Sequence, residues 1–151
     1  YGVSQEIAAS YAAAFYFGIT AGRAAAGFLS VKWGNFQMIR LGQALIGAGL
    51  LFLLVPVGLW RIPVGLVLIG LGCAPIYPAM LHQTPKTFGE ENSQVMMGIQ
   101  MASAYIGSSL MPPVFGFLSS FFSMRLFPFF VAVALLLMTF CTEIVRRRTA
   151  T

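Results

Sequence analysis

Few side chains in this 151-residue sequence can do chemistry, and they are not grouped for catalysis. The chain has one histidine (His82), two cysteines (Cys73 and Cys141), four glutamates and no aspartate. A metal centre or a hydrolytic triad needs three or more such groups converging. Here they are spread out between apolar runs. Both cysteines lie inside apolar segments, at different expected depths, and read as packing residues and not as a disulfide framework. His82 stands at the edge of an apolar run, where a solvated or helix-capping role outweighs proton coupling. Ser103 and His82 are the one nucleophile and base worth weighing for an intramembrane enzyme, and they fall on different segments. The expectation is a protein that is not an enzyme, with no cofactor and no metal.

The informative polar residues are those set inside apolar runs. Gln100 and Tyr105 differ by five positions, about 140° around a helix, so they can border one broad cavity but not a narrow stripe. A buried amide or phenol needs a partner. A hydroxylated substrate would supply one, and so would a neighbouring helix. Tyr77 lies in Ala-Pro75-Ile-Tyr77-Pro78. Prolines three apart free carbonyls one turn back. Pro75 and Pro78, and likewise Pro112 and Pro113, are candidates for a bend lining a cavity or for a static kink. Tyr77, Gln100 and Tyr105 are the candidate cavity contacts.

The elements that would position these groups follow from composition. Hydrophobic residues make up 58% of the chain, charged residues 9%, and mean hydropathy is +0.84. A soluble domain carries about a quarter charged residues. The net charge of +5 and pI near 9.7 invite a nucleic-acid reading, but the basic residues are scattered between apolar runs. The exception, Arg146, Arg147 and Arg148, follows an apolar run, as a cytoplasmic flank does. Nucleic acid is therefore not an expected partner; the lipid bilayer is.

A helix crossing the hydrocarbon needs about 20 mostly apolar residues. Five stretches qualify: about 7–29, 36–57, 62–81, 95–119 and 125–144. Pro56 falls at the end of the second, and the fifth opens at Arg125. The longest polar stretch, His82 to Gln94, reads as a connection. Asn92 or Ser93 would cap the fourth helix, with Glu90 and Glu91 near its positive end. One face receives Arg23, Lys32, Arg40, Lys86 and Arg146 to Arg148; the other receives Arg61 and Arg125. The positive-inside bias makes the C-terminus cytoplasmic and puts Tyr1 outside. With Tyr1 in place of a methionine and no signal peptide, the expectation is a piece that begins in an external loop. The fold class expected is an all-α integral membrane protein with five transmembrane helices.

The first stretch holds Gly18 and Gly22. Small residues four apart let helices approach closely, for plain packing or for a sliding interface. Arg23 follows, near the inner end. It can snorkel to the headgroups or serve as a gate charge paired with a carboxylate. Glu143 and Arg147, four apart, read as an interfacial ion pair. No glutamate lies at mid-depth.

The segment Gly22-Arg23-Ala-Ala-Ala-Gly27-Phe-Leu-Ser-Val-Lys32-Trp-Gly34 resembles the cytoplasmic loop motif of the major facilitator superfamily. Val31 stands where that motif has aspartate, while Lys32 and Gly34 match. With Ala-Pro-Ile-Tyr-Pro, with Gly-Ile-Gln-Met-Ala-Ser-Ala-Tyr and with Pro112-Pro113, the order resembles the fucose/glucose/galactose–proton symporter group. The resemblance implies a partial major-facilitator fold, helices eight to twelve of twelve, across residues 1–151. It implies a multi-pass protein of the cell membrane, such as a bacterial inner membrane. The function implied is sugar–proton symport by alternating access, with a hexose or related sugar and protons as partners. A missing N-terminal half would carry the coupling carboxylate. Gly22, Arg23, Gly27, Lys32 and Gly34 would form the cytoplasmic gate motif. The alternative is a five-helix structural or assembly subunit of a membrane complex.

Overall fold

In lipid every backbone polar group must bond within its own element, which leaves long helices as the solution for apolar runs of this length. The computed structural model describes residues 5–55, 58, 60–122 and 126–149. It has five helices: α1 (Gln5–Leu29), α2 (Asn35–Leu54), α3 (Arg61–Phe88), α4 (Glu90–Phe122) and α5 (Phe127–Thr149). Each is long and apolar enough to span a bilayer, so the fold is an all-α membrane fold. Tyr1, Pro56 and Arg125 lie outside the described residues.

The largest departure from the sequence expectation is at the α3–α4 junction. The polar stretch His82 to Gln94 is helical apart from Gly89, which alone separates the two helices. Gly89 has φ +79° and ψ 158°, a backbone region open to glycine, and its N–H donates to the Pro85 carbonyl at 3.0 Å. Polarity at an interface does not break a helix; a change in backbone hand does. Asn92 and Ser93 are consequently inside α4 and do not cap it, and the Ser93 hydroxyl donates to the Glu90 carbonyl at 2.7 Å. With 28 and 33 residues, α3 and α4 are about 42 and 50 Å long, longer than a hydrocarbon core of about 30 Å. Their adjoining ends therefore stand in the headgroup layer.

The core is a three-helix unit with α3 at its centre, between α1 and α2. Met38, Ile39 and Ala79 form one buried cluster, and Ile46, Ile69 and Ile76 form another. Close approach depends on glycine. A Cβ on Gly42 would come within 2.5 Å of the Gly72 carbonyl, and one on Gly72 within 2.6 Å of the Gly42 carbonyl. Gly49 and Gly65 face each other the same way, at 2.8 and 3.1 Å. The two pairs are seven residues apart on both α2 and α3, two turns of an antiparallel contact. On the other side, Gly18 and Gly22 of α1 meet Val67 and Leu71, and Gly70 of α3 meets the Phe15 carbonyl. The Gly18/Gly22 expectation thus holds as packing, one of three such contacts around α3.

The remaining helices sit outside this unit. α4 rests on α3, and α5 on α2. Neither spanning window of α4 or α5 buries a residue within the protein. Tyr105, Phe117, Leu136 and Phe140 are among their exposed apolar side chains.

Candidate functional site

The expected gate motif divides in two. Gly22 is buried where α1 meets α3, and a Cβ there would fall 2.7 Å from that of Ala74 and 2.9 Å from the Leu71 carbonyl. Pro75 has no N–H to bond the Leu71 carbonyl, so Gly22 packs against a position that the proline leaves open. Arg23 and Gly27 line the clefts described below. Val31, Lys32 and Gly34 lie in the exposed turn between α1 and α2. That turn is closed by the Lys32 and Trp33 N–H groups, both donating to the Leu29 carbonyl at 3.0 Å. Gly34 precedes α2 with an ordinary φ of −69°, and its N–H donates to Gln37 Oε1 at 3.2 Å. Glycine is not demanded there by geometry.

Two clefts lie along the α1–α3 contact. One, of about 450 Å³, is lined by Arg23, Cys73, Tyr77 and Pro78 among others. The second, of about 310 Å³, is lined by Arg23, Gly27, Ser30, Asn35 and His82 among others. Arg23, Ala74 and Pro78 border both. Cys73 is exposed to the first cleft and Cys141 is also exposed, so neither packs inside the protein as their apolar neighbours suggested. Helix α3 continues unbroken through Pro75 and Pro78, with Pro75 buried and Pro78 exposed. Helix α4 likewise continues through Pro112 and Pro113, both exposed and outside these clefts.

Gln100 belongs to a different place. It lines a cavity of about 200 Å³ with Met80, Thr84, Phe88, Met138 and Thr142, among others, at the junction of α2, α3, α4 and α5. The Thr84 hydroxyl, buried to 2% exposure, sits 3.0 Å from Gln100 Oε1 and 3.0 Å from the Met80 carbonyl. A neighbouring helix therefore satisfies the oxygen of this amide. Tyr105 is 73% exposed on α4 and lines neither this cavity nor the two clefts, so the three tyrosine and glutamine candidates do not share one wall. Thr84 was not singled out by the sequence, because a threonine in a helix carries no mark of which neighbour it meets. Replacing Thr84 by valine removes the hydroxyl at constant shape. The expected cost is about 1 kcal/mol, and combination with Gln100→Leu should show the two effects to be coupled. Independent, additive shifts in thermal midpoint would dissolve the pair.

The polar ends of the helices are tied together on the same side. Asn35 Nδ2 donates to Gln83 Oε1 at 3.1 Å, and Gln43 Nε2 to the Thr142 hydroxyl at 3.4 Å. The expected Glu143–Arg147 ion pair is present at 3.3 Å. Glu143 also takes Arg146 at 2.7 Å and, from α2, Arg40 at 3.2 Å. Exposed pairs of this kind add little stability. Only the Arg40 pair crosses between helices, where it aligns α5 with α2.

No curated protein and no solved structure matches the chain. A family model described as Major Facilitator Superfamily matches it over residues 1–151.

Proposed function

The chain belongs to the major facilitator superfamily, and from that premise we propose that it forms the C-terminal part of a sugar–proton symporter working by alternating access. Membership makes it a multi-pass membrane protein with a transport role and a small-molecule substrate. The family match along all 151 residues carries the transport proposal. The exposed apolar faces of α4 and α5 support an N-terminal half packing against one side and lipid against the other. The order of motifs supports the sugar, and the basic helix ends support a cell-membrane location with a cytoplasmic C-terminus.

In this proposal the three-helix unit around α3 moves as one body, because glycine contacts of this closeness do not slide without clashing. The four glutamates Glu6, Glu90, Glu91 and Glu143 all stand near helix ends. Proton coupling is assigned to a carboxylate outside this chain, at mid-depth. Vesicles carrying the full-length protein should accumulate a labelled hexose or related sugar when the outside is acidified, and a protonophore should abolish it. Uptake indifferent to the proton gradient would remove the coupling. Absence of uptake across a panel of hexoses and related sugars, sugar acids included, with a stable protein partner recovered instead, would favour the assembly-subunit alternative.

A further inference from the structure

We propose that the two clefts meeting at Arg23 form one anion-recognition site, and that the substrate bears a carboxylate beside its hydroxyls, as a sugar acid does. Arg23 sits six residues before the end of α1, about 9 Å along the axis, close to the inner end of the helix. It forms no hydrogen bond or ion pair with any described residue. The three ion pairs found among the described residues all belong to Glu143. None of Glu6, Glu90, Glu91 or Glu143 lines either cleft. Arg23 is exposed near the inner end of α1, and with no counter-charge among the described residues its guanidinium is available to an anionic ligand.

The surroundings suit a ligand and not a packed core. The phenol of Tyr77 and the imidazole of His82 stand along the two clefts, and neither makes a hydrogen bond with a described residue. Ala74 and Pro78, which both clefts share with Arg23, are small and leave the guanidinium reachable. The Gln100 cavity differs on each count. Its threonine and glutamine are already bonded to each other, and no cation lines it. A guanidinium fork matches a carboxylate by two parallel hydrogen bonds. A neutral hexose could accept hydrogen bonds from Arg23 but would leave its charge uncompensated. The Tyr77 and His82 groups are then free for hydroxyls on the same molecule.

Cys73 lines the cleft with Arg23 and Tyr77, so its thiol reports occupancy without any transport assay. The experiment follows alkylation of Cys73 by N-ethylmaleimide in the full-length protein, read by mass spectrometry of the Cys73 peptide. D-glucuronate at about ten times its Kd should slow alkylation about tenfold, and D-glucose at the same concentration should leave the rate unchanged. Arg23→Gln should weaken glucuronate protection about 10–100-fold, with Arg23→Lys keeping part of it. Equal protection by glucose, no protection by glucuronate, or full protection in Arg23→Gln would each overturn the site. No protection by glucuronate is also the result expected if Arg23 pairs with a carboxylate elsewhere in the protein or snorkels to lipid. The substrate assignment rests on the transport proposal, and the two fail separately. Protection without gradient-driven uptake keeps the anion site and removes transport. Hexose uptake without glucuronate protection does the reverse.

Discussion

Replacing Gly72 with leucine should separate α2 from α3 and cost the protein most of its thermal stability in detergent. Even one methyl at Gly72 would stand 2.6 Å from the Gly42 carbonyl and 2.8 Å from the Ile46 amide nitrogen. Those are backbone atoms, and they can yield only if a whole helix shifts. Overpacking of a tight interior costs about 1–3 kcal/mol for small additions, so alanine sets the lower bound and leucine exceeds it. The Gly49–Gly65 pair, one repeat away, would be levered apart by the same displacement. Gly98 and Gly107 of α4 are the controls, since nothing lies within 4 Å of a Cβ at either position. Alanine there should leave the thermal midpoint unchanged or raise it, given a helix preference over glycine of about 1 kcal/mol. If Gly72→Leu and Gly98→Ala melted alike, the glycine contact would not be what holds α2 to α3.

Gly89→Ala is the second substitution with a large expected effect, through backbone conformation and not through crowding. Space is open around Gly89, with no atom within 4 Å of a Cβ, yet its φ of +79° with ψ near 158° is a region that other residues avoid. Holding alanine there costs about 1–3 kcal/mol. The alternative is a return to negative φ, which re-aims α4 against α3 because no other residue is available to absorb the change. Loss of uptake with normal membrane insertion is the expected result for Gly89→Val. Gly34→Ala is the matched control, at a connection with ordinary φ and equal space. Equal midpoints for the two variants would mean that the α3–α4 angle is set elsewhere.

The five spans are legible because lipid imposes a length on apolar runs, and a helix lies along each, although α2 ends at Leu54, short of the expected 57. Their ends were less legible. His82 to Gln94 has the composition of a loop, but helices leaving the hydrocarbon can carry polar residues for several turns, and only Gly89 interrupts them. Of the glycine contacts, the sequence reading picks out only Gly18 and Gly22; the Gly42–Gly72 and Gly49–Gly65 pairs depend on register between segments, which no local spacing announces. The Glu143–Arg147 pair is local and was found; Arg40 reaches the same carboxylate across 103 positions, and no local pattern announces that. Gln100 was recognised as needing a partner, and its partner Thr84 was not. The sequence pattern assigns Tyr77 and Arg23 to different devices, a cavity wall and a gate, whereas the fold places them on one cleft. Tyr105 remains on an exposed face, where its sequence signal and its surroundings do not meet.

The central place of α3 also bears on how the protein is made. α1 and α2 hardly touch each other, while both are fastened to α3. As the chain leaves the ribosome, α1 and α2 enter the bilayer before α3, with the glycine faces that meet α3 still uncovered. They must wait until residues up to Phe88 have been synthesised and inserted. A ribosome stalled before that point leaves α1 and α2 without the helix that fastens them, while one stalled far enough beyond Gly89 for α3 to have entered the bilayer leaves a unit already locked.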